Sequence, residues 1–84
     1  MDANRIEQLI WDAIPDADVT VTTRSDLPED DHYEALVVSE AFSDRTLVEQ
    51  HEMVYDALGE HMTRDIHALE LTTYTPVEYT RLEE

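Results

Sequence analysis

The apolar residues near the start of the chain recur at three- and four-residue spacing, which predicts a helix over residues 2–14. Asp2 and Asn4 are both suitable N-cap residues, and Pro15 ends the helix because proline disfavours helical backbone in the residue before it. Trp11 lies off the centre of the apolar stripe, so we expect it to be partly exposed. The stripe expected to be buried comprises Ile6, Leu9, Ile10, Ala13 and Ile14.

Two stretches rich in β-branched residues predict strands at residues 18–24 and 32–40. The short polar loop SDLPEDD at 25–31 favours an antiparallel pairing between them. The sequence ALVV at 35–38 is apolar at successive positions, which is typical of a central strand covered on both faces. A third strand is predicted at 66–72, and the helix before it favours a parallel pairing.

A second helix is predicted over residues 46–62, with Ser43 or Asp44 as its N-cap. Gly59 interrupts this pattern at a cost of up to ~1 kcal/mol, and we interpret it as a place of close approach to another element. Thr75 and Pro76 suit the cap and first position of a short last helix. The side chains expected on the buried face of the long helix are Leu47, Val48, His51, Val54, Tyr55, Leu58 and Met62.

The resulting order α-β-β-α-β-α predicts one α+β domain over residues 1–84. The absence of cysteine excludes disulfides, thiolate metal sites and a cysteine nucleophile. No apolar run approaches the ~20 residues that span a bilayer, so we expect no membrane association. The acidic, amphipathic start of the chain differs from a signal peptide, which favours a cytoplasmic location.

The charge is strongly unbalanced, since 21 acidic and 5 basic side chains give a net charge of −16, and every basic residue is arginine. Molar salt shortens the Debye length to ~3 Å and removes most of the resulting self-repulsion. An acidic surface without lysine therefore favours adaptation to a salt-rich cytosol, as in halophilic archaea. The alternative is a protein from a low-salt cell that binds a cationic partner.

Three segments together resemble the BolA family: VVSEAF at 37–42, QHEMVYDAL at 50–58 and IHALELTTYTPVEY at 66–79. The family shows a strand ending in V-S-x-x-F, a helix carrying R-H-x-x-V/I-Y-x-x-L, and a strand that begins H-A-L. The resemblance covers nearly the whole chain. It implies the BolA fold, a three-stranded mixed sheet with helices, similar to the type II KH arrangement.

The resemblance also implies a partnership with monothiol glutaredoxins in iron-sulfur cluster assembly, trafficking or iron regulation. In that family the two proteins share a [2Fe-2S] cluster, for which glutaredoxin and glutathione supply sulfur ligands and the BolA-like protein supplies a histidine. His67 matches this histidine. Replacing thiolate by histidine raises the reduction potential of such a cluster. We expect no cofactor in the isolated protein, which would be a monomer or a weak dimer.

The family often has a second ligand, cysteine or histidine, in the loop between the first two strands, and SDLPEDD contains neither. His32 directly follows this loop and is a weaker candidate ligand, although it also fits an ordinary histidine at the start of a strand. Asp30 and Asp31 are weaker oxygen-ligand candidates. This departure leaves glutaredoxin docking intact as an expectation and puts tight cluster retention in doubt.

The other two histidines favour structural interpretations. His51 matches the histidine of the Arg-His pair, with Gln50 in place of the arginine, and we expect it to pack in the core. His61 matches nothing in the family, and we expect it to be exposed.

The alternative function is transcription regulation by DNA binding. Phosphate contacts need Lys or Arg, and only Arg45 lies near the FSDRTL turn. No Gly-x-x-Gly loop is available to hold a nucleic-acid backbone. Nucleic acid is therefore the less favoured partner. Catalysis is not expected, because the chain has no phosphate loop, catalytic triad or H-E-x-x-H spacing.

Overall fold

The structure is a computed structural model that describes residues 2–23, 32–64 and 68–83. The loop predicted at 25–31 and the candidate ligands Asp30, Asp31 and His67 lie outside these ranges. The helices and strands, in chain order, are α1 (Ala3–Ala13), β1 (Asp18–Thr23), β2 (His32–Val38), a 3-10 turn (Glu40–Phe42), α2 (Leu47–Leu58), α3 (His61–Arg64), β3 (Ala68–Tyr74) and α4 (Pro76–Glu83). The predicted α+β class is confirmed, with α3 and the 3-10 turn as additions.

The sheet has the order β1-β2-β3, so the apolar strand β2 is central as predicted. β1 runs antiparallel to β2, with Asp18 opposite Val38. β2 runs parallel to β3, with His32 opposite Ala68 and Val38 opposite Tyr74. Both predicted pairings are therefore confirmed among the described residues.

The helices α1 and α2 pack on one face of this sheet and form a single apolar core with it. On the other face Thr20, Thr22 and Glu34 are exposed, and Leu36 is half-buried. The helix α4 borders only part of that face, where Tyr79 helps to line an open cavity of about 420 Å³. The expectation that β2 is covered on both sides is thus correct for the core face and only partly correct for the other face, where Val38 is buried, Leu36 is half-buried and Glu34 is exposed.

The first helix agrees closely with its predicted pattern. Asp2 is the N-cap, and its carboxylate accepts a hydrogen bond from the Arg5 backbone N–H at 2.8 Å, so Asn4 is not the cap. Trp11 is 39% exposed as expected, and its indole N–H donates to the Ala17 carbonyl at 2.8 Å. Ala13, the last helical residue, is exposed, so the buried stripe is narrower than the spacing predicted.

The second helix begins later than predicted, because Thr46 rather than Ser43 or Asp44 is its N-cap. The Thr46 hydroxyl accepts from the Glu49 N–H, and the Glu49 carboxylate accepts from the Thr46 N–H at 2.8 Å. This capping box satisfies two backbone donors at the helix start. Asp44 instead has a φ of 63° and turns the chain before the helix.

The buried line of α2 also differs from the predicted one. Gln50, Val54 and Leu58 are buried, at i, i+4 and i+8. Among the residues expected on the buried face, Leu47, Val48 and Tyr55 are exposed. The spacing of the apolar residues predicted the wrong buried face of α2, because a polar residue, Gln50, occupies the core position one turn before Val54. A helix whose apolar residues lie on two adjoining faces cannot be oriented from periodicity alone.

Gly59 ends α2 as its C-cap, with a φ of +56° and a ψ of −133°. Among the described residues, a Cβ added there would meet only the Asp56 carbonyl oxygen, at an ordinary 4.0 Å, so the expected close approach is wrong for this part of the structure. The glycine is required by its backbone conformation, which side-chain-bearing residues rarely adopt. The last helix is capped as predicted, since Thr75 and Glu78 exchange reciprocal hydrogen bonds.

We expect Gly59→Ala to lower the free energy of unfolding by about 1–3 kcal/mol, because alanine is strained at this positive φ. Urea denaturation at fixed salt measures the change. Asp56→Ala, at an exposed position one turn earlier, is the control and should change stability by less than about 0.5 kcal/mol. Equal stability of Gly59→Ala and wild type would contradict the conformational role.

The capping box predicts a specific pH dependence. Hydrogen bonds from the Thr46 backbone and side chain lower the pKa of Glu49 below its ordinary value of 4.5. Because the pKa is lower in the folded state, the stabilisation is present above pH 4.5 and is lost as the pH falls through the folded pKa. Wild type should therefore be more stable than Glu49→Gln at pH 7, and the difference should shrink as the pH falls below 4.5. Glu52→Gln, exposed on the same helix, is the control for the loss of one carboxylate outside the capping box.

Candidate functional site

The starts of the two parallel strands lie side by side at one end of the sheet, and one of the predicted ligands, His32, lies there. His32 begins β2, is half-buried, and is opposite Ala68, the first residue of β3. His67 directly precedes Ala68 in the sequence and lies outside the described residues. The ligand roles of His32 and His67 stay predictions.

The described residues contain no grouping of three or more His, Cys, Asp or Glu side chains that could hold a metal ion. A [2Fe-2S] cluster needs four protein or small-molecule ligands.

The opposite end of β2 leads into the V-S-x-x-F segment, which forms a tightly held turn. Ser39 is buried, and its backbone N–H donates to the Tyr74 carbonyl at 3.0 Å. Its hydroxyl donates to the Asp16 carboxylate at 2.8 Å and accepts from the Ala41 N–H at 3.0 Å. Phe42 is fully buried below the turn. These contacts give the motif a structural role that fixes β2, β3 and the turn together.

Gln50 is a buried polar residue of this region whose structural role was not predicted from the sequence. Its side-chain amide donates to the carbonyls of Phe42 at 3.2 Å and Arg45 at 3.1 Å. Its amide oxygen accepts from the Thr73 hydroxyl at 2.7 Å. Gln50 is 8% exposed, and its hydrogen bonds to Phe42 and Thr73 are buried, while that to Arg45 is partly buried. The sequence does contain a signal for this role. Gln50 lies four positions before Val54, so a helix places it in line with the buried residues Val54 and Leu58.

Arg45, the candidate for nucleic-acid contact, is exposed in this turn. Its Nε donates to the Ala41 carbonyl at 3.1 Å, which holds part of the guanidinium against the turn backbone. The turn and His32 lie at opposite ends of the seven-residue strand β2, which at ~3.3 Å per residue separates them by about 20 Å. The two candidate functions therefore use separate parts of the surface and can be tested separately.

The two remaining histidines differ from their expected environments. His51 is half-buried rather than packed in the core, and its ring meets Tyr55 edge to face at a centroid distance of 6.2 Å. His61 begins α3 and is half-buried rather than exposed.

Residues 13–78 match the family described as BolA-like protein. A solved bolA protein homologue from Coxiella burnetii is 38% identical, with a TM-score of 0.79, and the match covers 96% of this chain and 99% of that one. The DNA-binding transcriptional regulator BolA of Escherichia coli is 34% identical over 53 residues, which are 63% of this chain and 50% of that protein. The acid stress protein IbaG of Escherichia coli is 28% identical over 82 residues, 96% of this chain and 92% of the relative.

The chain belongs to the BolA family, in agreement with the resemblance found in its sequence motifs. Its match spans about half the length of the DNA-binding regulators of that name. Within the described residues, no helix has the length and apolar character needed to cross a bilayer.

Proposed function

We propose that this protein is the BolA-like partner of a monothiol glutaredoxin in iron-sulfur cluster assembly, trafficking or iron regulation. The observation that carries the proposal is the pairing of His32 with Ala68, next to His67, in a chain that belongs to the BolA family. His32 supplies an imidazole at this end of the sheet, and the described residues hold no complete metal site. Such a donor set suits a cluster shared with glutaredoxin and glutathione.

In this proposal, His67 is the principal ligand and His32 is an auxiliary ligand or a neighbour that positions it. Imidazole ligates iron through a neutral nitrogen, and histidine in place of thiolate raises the cluster's reduction potential. The cluster is cargo exchanged with the partner, so the chain itself needs to supply only one or two donors. The cytoplasmic location and the salt-rich host are part of the same proposal.

The test is to add the protein to cluster-loaded monothiol glutaredoxin with glutathione and record visible absorption and circular dichroism. We expect a new spectrum in the wild type and its complete loss in His67→Ala. His61→Ala is the matched control and should retain the spectrum. A smaller change in His32→Ala would identify an auxiliary ligand. An unchanged glutaredoxin spectrum in the presence of wild-type protein would overturn cluster sharing.

DNA-binding regulation is the second candidate, because curated relatives carry that name. The net charge of −16 opposes it, and Arg45 already donates to its own turn. Electrostatic DNA binding weakens steeply with salt. We expect no mobility shift of duplex DNA above about 0.2 M KCl. A shift that survives higher salt and is lost in Arg45→Ala would favour the second candidate.

A further inference from the structure

The two edges of the sheet are protected differently. On the β1 edge, the Glu7 carboxylate of α1 accepts a hydrogen bond from the Val21 backbone N–H at 3.2 Å. The helix α1 also packs along β1. A side chain that occupies an edge donor prevents another strand from pairing there. The β1 edge is therefore closed to strand addition at Val21.

The β3 edge has no described strand beside it. The Tyr74 carbonyl accepts from the Ser39 N–H, so the Tyr74 backbone points towards the β2 side. Because backbone groups alternate sides along a strand, those of Leu69, Leu71 and Thr73 point to the other side. Within the part of the chain that the structure describes, this edge of β3 consequently presents backbone donors and acceptors over the length that a short extended segment needs.

An exposed apolar stripe lies on α2, formed by Leu47, Val48 and Tyr55, with the half-buried His51 beside them. Val48 is 67% exposed and Leu47 is 60% exposed. Because these residues are open although α1 packs against α2, α1 contacts another flank of α2, where Met53 joins the core. With α1 over β1 and α2 against β3, the exposed stripe faces the β3 side of the molecule.

We propose that the β3 edge and the α2 stripe together bind an extended, basic segment of a partner protein, which adds to the sheet as a fourth strand. Strand addition is an established mode of peptide recognition, in which backbone bonds give affinity and alternate side chains give specificity. Apolar residues of the segment lie beside Leu69, Leu71 and the stripe. Basic residues lie on the opposite face, beside the exposed Glu70.

The negative charge of the chain favours a basic segment, rather than a second copy of the chain, at the β3 edge. An antiparallel pairing of two β3 strands would bring two chains of net charge −16 together along their edges. Like charges directly opposite on neighbouring strands destabilise a sheet. A basic segment meets the same edge with favourable charge. The proposal uses neither His67 nor a cluster, so it stands or falls separately from the proposed function.

The probe is a blocked, fluorescein-labelled six-residue peptide of alternating valine and arginine, titrated in a salt concentration at which circular dichroism shows a folded protein. We expect saturable binding by fluorescence anisotropy, and no binding of the matching valine-glutamate peptide. N-methylation of the peptide's alternate amides that pair with β3 should weaken binding at least about tenfold. Equal binding of the N-methylated and unmethylated peptides would overturn strand addition.

One surface variant tests the contribution of the stripe to peptide binding, and a second variant outside the stripe is its control; both substitutions are at exposed valines. Val48→Ser should weaken the valine-arginine peptide about tenfold, through lost apolar contact. Val77→Ser, at a 57% exposed valine on α4, is the matched control and should bind as wild type does. Glu70→Arg should shift preference towards the valine-glutamate peptide. His67→Ala should leave peptide binding unchanged.

Two other outcomes would overturn the proposal. Equal peptide affinities of Val48→Ser and Val77→Ser would show that the stripe is not part of the binding surface. A dimer in light scattering that Val48→Ser dissociates and the peptide cannot displace would assign the β3 edge to a second copy of the chain.

Discussion

Gln50→Ala should lower the free energy of unfolding by about 2–4 kcal/mol. The substitution removes two buried hydrogen bonds, to Phe42 and Thr73, and a partly buried one to Arg45. Stranding a buried polar partner costs about 1–3 kcal/mol each, and the two carbonyls lose the donors that hold the turn against α2. The cost at the Phe42 carbonyl is smaller, because this carbonyl keeps a second hydrogen bond from the Arg45 N–H.

Urea denaturation of Gln50→Ala and Gln8→Ala gives a matched comparison. Gln8 is exposed on α1 and bonds only to Asp12 at 3.0 Å, so its loss should change stability by less than about 0.5 kcal/mol. Thr73→Val removes one of the three hydrogen bonds, and its effect in the Gln50→Ala background should be smaller than in wild type. A Gln50→Ala protein as stable as Gln8→Ala would show that the network does not stabilise the turn.

Raising KCl from 0.1 M to 2 M should increase the melting temperature by about 10 °C or more. Self-repulsion at a net charge of −16 is screened when the Debye length falls from ~10 Å to below ~3 Å. Relief of ~2 kcal/mol shifts the melting temperature of a domain this small by about 8–16 °C. Thermal melts followed by circular dichroism measure the shift.

A charge-reduced variant separates screening from other effects of salt. Glu52→Gln and Asp56→Asn together remove two exposed charges from α2, and we expect the double variant to gain less from KCl than the wild type does. A melting temperature that does not change with KCl would contradict both the self-repulsion argument and the proposal of a salt-rich host.

Local sequence signals predicted the elements whose formation depends on neighbouring residues. Asp2 capping α1, and the Thr75 and Pro76 start of α4, follow from side chains three or four positions apart. The central position of β2 follows from its apolar run, and its two pairings follow from the loop and helix that connect the strands.

Features that depend on contacts distant in sequence were not predictable in the same way. The orientation of α2 depends on Gln50 reaching Thr73, 23 residues away, and the apolar residues Leu47 and Val48 suggested a different buried face. The role of Gly59 depends on a backbone angle rather than on a neighbouring element. For the site, the strand pairing beside His32 came from the structure, while the assignment of His67 rests on the family resemblance alone.

The central claim is that this protein's partner is a glutaredoxin and not a nucleic acid. The most direct measurement is analytical size-exclusion with light scattering in 1 M KCl, with the protein mixed in one run with apo monothiol glutaredoxin from the same cell and in another with duplex DNA. We predict a one-to-one glutaredoxin complex, kept by His67→Ala because docking does not require the ligand, and no co-elution with DNA. Co-elution with DNA and separate elution of glutaredoxin would contradict the account.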